Sequence, residues 1–338
     1  MKELHYKVIN REITYKPLLV NVKPKKPIPG YTVHDMMRDP TKALEHRIAA
    51  LSETIKVKSD FIPFVESNFI ETLIPSIFGA QVHVAPGGSV DVRPCFKDIH
   101  ETENIRVDDI FRGETENAVR HLEFLKNNAP DYLYISPTRP MSPLDNAVVL
   151  RGSDFYADLL AEPELSIGFM EKIADVTIET IKCFKRIMNQ PLDECLTIRG
   201  HYFPGIRVSG DAVVNLSPAM IENIMCPFYK KFGREFGCVM LHYCCTPAPS
   251  THVAPALAKG GGISAVDNWQ GYKTILNRED YFQETLGVCT DAKKEDILDR
   301  KIFNDEFVMF GGRPLIVSVN VDSADEGLEV YDIWRKNT

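Results

Sequence analysis

The run Cys238-Val-Met-Leu-His242-Tyr-Cys244-Cys245 is an apolar stretch that ends abruptly in a histidine and two thiols. In an extended chain successive side chains alternate, so His242 and Cys244 point to one side while Tyr243 and Cys245 point to the other. An imidazole and a thiolate then converge. That is half of a zinc site, whose ligand bonds run to about 2.0–2.3 Å. The same spacing also suits a hydrogen-bonded histidine at a strand end, with the cysteines serving as small buried hydrophobes. Spacing alone leaves both readings open.

The elements that must position these groups follow from composition and periodicity. The chain has 338 residues, 44% hydrophobic and 25% charged, with a net charge of −8 and eight cysteines. Those values are ordinary for a globular chain able to bury a sizeable core. The acidic balance argues against nucleic acid as a partner. There is no apolar run of about 18 residues and no apolar leader after Met1, so the expectation is a cytoplasmic protein with no membrane association. In that compartment the cysteines read as thiols or metal ligands rather than as a disulfide framework.

Residues 1–31 are proline-rich and basic toward their end, and read as an extended N-terminal arm ahead of one domain over 32–338. Helical spacing of Ala43, Leu44, Ile48, Leu51 and Ile55 predicts a helix over 39–57. Others are expected at about 114–127 and 154–188. Short apolar runs predict strands at 61–65, 131–135, 205–208, 238–241, 262–266, 285–288 and 314–319, with an eighth at 18–22 or 196–198. Strands this short and apolar, alternating with helices, imply a parallel sheet covered on its outer face. No glycine-rich nucleotide fingerprint follows the early strands, which favours closure into a TIM (β/α)8 barrel over an open doubly wound sheet. Gly260-Gly-Gly262 precedes a strand and reads as a tight turn.

Barrel chemistry sits where strands end. The residues at those places are Glu66, Arg139, Ser209-Gly-Asp211, His242-Tyr-Cys244, Asp267-Asn-Trp269, Cys289 and Asn320. Each taken singly is as well explained as a loop cap or rim group. Asp211 in particular would serve as a helix N-cap. Together they form a polar, ligand-rich set.

Several stretches resemble the uroporphyrinogen decarboxylase superfamily, and within it the methylcobamide-dependent methyltransferase branch. They are Asp60-Phe-Ile-Pro-Phe-Val-Glu66 with Phe78-Gly-Ala80, then Leu150-Arg-Gly-Ser153, Val208-Ser-Gly-Asp211 through Leu216-Ser-Pro218, Pro227-Phe-Tyr-Lys-Lys231, and His242-Tyr-Cys244. The resemblance implies a TIM barrel with a funnel at its C-terminal mouth. It further implies zinc, methyl transfer between a small substrate and a corrinoid protein, and a homodimer formed through barrel faces. Cobalamin would ride on that separate partner, because this chain lacks a corrinoid-domain Asp-x-His-x-x-Gly signature.

Two departures matter. The Arg-Gln-Ala-Gly-Arg stretch of the decarboxylases is absent. The family's third zinc ligand, a cysteine after the last strand, is replaced at about Asn320, which leaves Cys289 or Glu66 to complete the set with His242 and Cys244. On this reading Asp211 and Glu66 do acid, base or orienting work, while Arg139, Asp267, Trp269, Tyr243 and Asn320 contact substrate. The alternatives are a metal-free lyase acting on a carboxylated small molecule, held by Arg139 or Arg207 with Asp211 stabilising positive charge, and a tetrapyrrole- or corrinoid-binding protein.

Overall fold

The computed structural model describes residues 1–67, 69–244, 251–267, 287–304 and 315–338, with side chains excepted at 287–290. Its strands are all short. In chain order those that run parallel are β1 (Leu18–Val22), β2 (Phe64–Glu66), β3 (Tyr134–Ser136), β4 (Gly205–Ser209), β5 (Cys238–His242), β6 (Ala265–Asp267), β7 (Gly287–Ala292) and β8 (Leu315–Val321). A six-stranded sheet runs β1-β8-β7-β6-β5-β4, and β2 pairs with β3 in a separate two-stranded sheet. The architecture is mixed α/β, as the alternation of short apolar runs and helical periodicity implies.

Among the described residues the two sheets do not join into one hydrogen-bonded ring, and side chains work at both seams. Beside β1, Asp60 Oδ2 accepts from the Leu18 amide at 2.9 Å, Ser59 Oγ from Val20 at 3.2 Å, and Thr54 Oγ1 from Val22 at 2.9 Å. Buried amides need partners, and these three side chains satisfy the β1 amides that β2 does not reach. Asp60 also accepts from the hydroxyls of Tyr15 and Tyr331. On the other side, Met141 bridges Ser209 in parallel, so the segment after β3 reaches the end of β4.

Residues within 1–31 enter the main body. β1 pairs with β8 from Leu18↔Val317 to Val22↔Val321. The helix Lys2–Ile9 packs on the antiparallel ribbon formed by Cys195–Leu196 and Tyr202–Phe203, where His5 Nδ1 accepts from the Tyr202 amide. Between the two arms of that ribbon, the 197–201 loop turns inward. Gly200 has φ +77°, and a Cβ there would lie 2.3 Å from the Phe61 ring, so both conformation and space require glycine.

Several element boundaries differ from the sequence expectation for local reasons. The 39–57 helix is two helices, Pro40–Leu51 and Thr54–Val57, the second ended by Lys58 at φ +53°. The first is started by Asp39 as N-cap with Pro40 behind it, which also ends the preceding helix Val33–Arg38. Pro163 similarly divides 154–188 into Phe155–Ala161 and the long helix Pro163–Ile187. β7 and β8 run further than their apolar cores, so Cys289 and Asn320 lie within strands rather than just beyond them. The 196–198 run contributes Leu196 to the ribbon, and β1 takes the remaining place in the parallel set.

Replacing Asp60 tests the β1 seam. Asp60→Ala orphans the buried Leu18 amide and two tyrosine hydroxyls, and should cost about 2–4 kcal/mol at roughly 1–3 kcal/mol per unsatisfied buried group, shared over a partly buried site. Urea unfolding of the variant measures it. A loss below about 0.5 kcal/mol would show that the seam does not depend on this carboxylate.

Candidate metal centre

His242 ends β5, and its ring is fixed from behind. Nδ1 lies 2.9 Å from the backbone carbonyl oxygen of Asp267, the last residue of the adjacent β6. A carbonyl only accepts, so Nδ1 carries the proton and Nε2 presents its lone pair. That lone pair faces Cys244 Sγ at 2.9 Å. A metal-ligating histidine is held in the same way, its other nitrogen donating to a carbonyl or carboxylate.

Asp211 completes the group from a different strand. It lies two residues past β4, and its Oδ1 accepts from the Cys244 amide at 2.6 Å. The approach is built by a backbone and a side-chain bond: the Gly210 amide donates to the His242 carbonyl at 2.8 Å, and Asp145 Oδ1 accepts from the Ala212 amide at 3.0 Å. Ligand atoms of Asp211, His242 and Cys244 all fall within 4.8 Å of one another, and among the described residues no other such group of three forms. His242 is buried while Asp211 and Cys244 are exposed, so the cluster opens outward.

Tetrahedral zinc with bonds of about 2.0–2.3 Å sets its ligand atoms roughly 3.3–3.8 Å apart. The donor set, the open side and the fixed imidazole tautomer fit zinc, with the Asp211 carboxylate, from beyond β4, as third donor instead of the thiolate expected after the last strand. Without a metal, burial and the nearby Asp211 and Asp267 carboxylates push the Cys244 thiol up to about 11, so its proton bridges to Nε2. Burial likewise raises Asp145 to about 7, close behind Asp211.

Behind the imidazole lies a buried ionic network. The Asp267 carboxylate, with no exposed surface, receives Arg199 Nε at 2.5 Å and Arg207 Nε at 2.7 Å. Arg199 Nη1 also donates to Asp291 and, at 2.8 Å, to Ser318 Oγ. Burial alone would raise Asp267, but Arg207, Arg199 and His242 outweigh it and hold the carboxyl well below the ordinary range. Arg199, on the inward 197–201 loop, is the residue that sequence reading passed over. Nothing in its local pattern marks it, since it follows a two-residue strand rather than a barrel strand.

The other expected residues lie as follows. Glu66 and Arg139 come together, with Nε 3.0 Å from Oε1, although the two atoms are not aligned for a hydrogen bond. Glu66 is therefore turned to Arg139 and is not part of the three-residue cluster. Cys289 stands opposite Asp267 in β7, two strands from His242, a backbone separation of about 9–10 Å at roughly 4.8 Å per strand. Its side chain, like the whole of Trp269 and Cys245, lies outside the described residues. Tyr243 packs in the hydrophobic core. Asn320 is exposed and lines a cavity of about 460 Å³ with Asn21, Lys23 and Lys294, where β1, β7 and β8 end.

Comparison with known proteins adds the fold. No family model and no curated protein sequence matches the chain. A methyltransferase from Methanosarcina mazei matches in structure with a TM-score of 0.66 and 13% identity, covering 99% of this chain and 98% of its own. A protein from Listeria monocytogenes, assigned as a vitamin-B12 independent methionine synthase, matches with a TM-score of 0.51 and 10% identity, covering 96% and 99%. The fold is shared. In addition, no described helix is long and apolar enough to cross a membrane.

The buried network sets a stability test. Asp267→Ala removes the carboxylate that meets Arg207 and one of those that meet Arg199, and should destabilise the fold by about 3–5 kcal/mol in urea unfolding. Because the native pKa is depressed, the contribution is full above the unfolded value of about 3.9 and is lost as pH falls through the native one. The variant's deficit relative to the parent should thus shrink below about pH 4. A deficit that is constant from pH 3 to 7 would refute this assignment.

Proposed function

We propose that the chain is a methyltransferase built on a (β/α)8 barrel, with zinc held by Asp211, His242 and Cys244, moving a methyl group between a small substrate and the cobalamin of a separate corrinoid protein. The observation that carries the reading is the Nε2 lone pair of His242, aimed at Cys244 Sγ by the hydrogen bond from Nδ1 to Asp267. The shared fold with the Methanosarcina methyltransferase supports it. When bound, zinc acts as a Lewis acid that lowers the pKa of a coordinated substrate thiol or polarises a methyl-bearing heteroatom.

The protein's own groups prepare that chemistry. Asp267 keeps the imidazole in one tautomer through its carbonyl, and its carboxylate is itself fixed by Arg199 and Arg207. The Cys244 backbone amide orients Asp211, whose second oxygen is left for a ligand or a substrate proton. The exposed side of Asp211 and Cys244 leaves an approach for the substrate and, facing it, for the partner's cobalt. Cys244 must give up its proton to bind metal, and the exposed side of the cluster lets solvent take it.

Elemental analysis of protein purified without chelator should find about one zinc per chain. Asp211→Asn, His242→Ala and Cys244→Ala should each lower zinc affinity at least about 100-fold, whereas Cys195→Ala should leave it unchanged. Methyl transfer from a methylated corrinoid protein should fall in parallel, followed by the cobalamin spectrum. Unchanged zinc occupancy in His242→Ala, or carbon dioxide release from a carboxylated substrate by the metal-free protein, would overturn the proposal in favour of a lyase.

A further inference from the structure

A second polar cluster lies beside β2. Arg139 stands against Glu66, and Arg47, from the helix Pro40–Leu51, donates its Nε to the Phe64 carbonyl at 2.5 Å with its guanidinium 4.1 Å from the Phe64 ring centre. These side chains line a cavity of about 320 Å³ whose remaining wall includes Val33, Met36, Met37 and Val65. The size is at the lower end of small-ligand pockets, and the mixture of an apolar wall with a few charged groups is typical of them.

On the wall of this cavity, among the described residues, the guanidiniums of Arg47 and Arg139 face the single carboxylate of Glu66. Neither Arg139 Nε nor Glu66 Oε1 makes an aligned hydrogen bond. Burial pulls the Arg47 guanidinium down to about 10, with Glu66 its opposing charge, and pulls Arg139 down as well. Glu66 is raised by burial despite Arg139, Arg207 and Arg47, so its charge is the easiest in the cluster to give up. Buried guanidinium with unused donors in a partly apolar cavity is a site for a planar anion, which can be gripped by two parallel hydrogen bonds.

We propose that this cavity binds the carboxylate of a small substrate with an apolar body, Arg139 and Arg47 holding the anion while Glu66 takes up a proton to admit it. The proposal rests on the methyltransferase reading in naming its substrate class, but the binding step is independent of zinc. Other titratable groups on the cavity wall are His46, from the same helix as Arg47, and His121, from the helix Thr115–Asn128. Both are lowered by burial, His121 to about 4, so neither gains charge above neutral pH. Proton uptake on binding should therefore come from Glu66, and affinity should fall as pH rises past its native pKa.

Calorimetric titration of the protein with benzoate, hexanoate and neutral benzamide tests this. Benzoate or hexanoate should bind one to one and at least tenfold more tightly than benzamide, with proton uptake revealed by changing the buffer's ionisation enthalpy. Arg139→Gln should weaken carboxylate binding at least tenfold. Glu66→Gln should retain binding and lose its pH dependence, a readout that stands even if Arg139→Gln fails to fold. Equal affinity for benzoate and benzamide, no binding of either acid, or unchanged pH dependence in Glu66→Gln would overturn the proposal. Carboxylate binding retained in a His242→Ala protein that still holds zinc would overturn the metal assignment alone. Zinc-dependent methyl transfer without carboxylate binding would overturn this one alone.

Discussion

The buried carboxylate of Asp267 is the constraint on which the rest of the site depends. A fully buried anion is stable only if its charge and lone pairs are met, and here two arginine side chains meet them from different elements. Arg207 rises from β4 and Arg199 from the inward 197–201 loop, so one carboxylate on β6 locks three parts of the chain together. Its backbone carbonyl sets the His242 tautomer. A single residue thus fixes both the frame of the interior and the direction in which the imidazole can donate its lone pair.

The protein divides its polar interior into two chemically different halves. Around His242 stand groups that could hold a metal ion: an imidazole, a thiol and a carboxylate on the open side. Around Glu66 they are hydrogen-bond donors in excess, set against methionine and valine. Arg207 stands between them, bonded to Asp267 and electrostatically coupled to Glu66. Such a division leaves the carboxylate and thiol side open to solvent while the arginine side keeps its charges in a low-dielectric interior.

Much of this was legible in the sequence because it rests on local patterns. Apolar runs of strand length alternating with helical periodicity gave the mixed α/β architecture, and period-two geometry brought His242 and Cys244 to one side. Asp211 was visible as a polar residue past a strand, but its convergence on Cys244 depends on β4 and β5 being neighbours in a particular register, from Gly205↔Cys238 to Ser209↔His242. Arg199 was hidden for the same reason: its partners lie 68 and 92 residues away in sequence. The strand ends were misjudged wherever polar residues continue a strand, as at Asn320, since hydropathy marks the buried core of a strand and not the hydrogen-bonded ladder.

The pairing of β1 with β8 joins Leu18 to Val317, so the first strand finds its edge partner only when nearly all of the described chain is present. Contacts of such high sequence separation incur their loop-closure entropy before any return, and parallel pairings of this kind form slowly. At synthesis rates of about 5–20 residues per second, β1 waits on the order of tens of seconds for β8. During that interval Thr54, Ser59 and Asp60, which follow β1 closely in the chain, can already occupy its amides on one side. The side-chain seam that interrupts the sheet in the finished protein therefore also shields half of an otherwise exposed apolar strand in the nascent one.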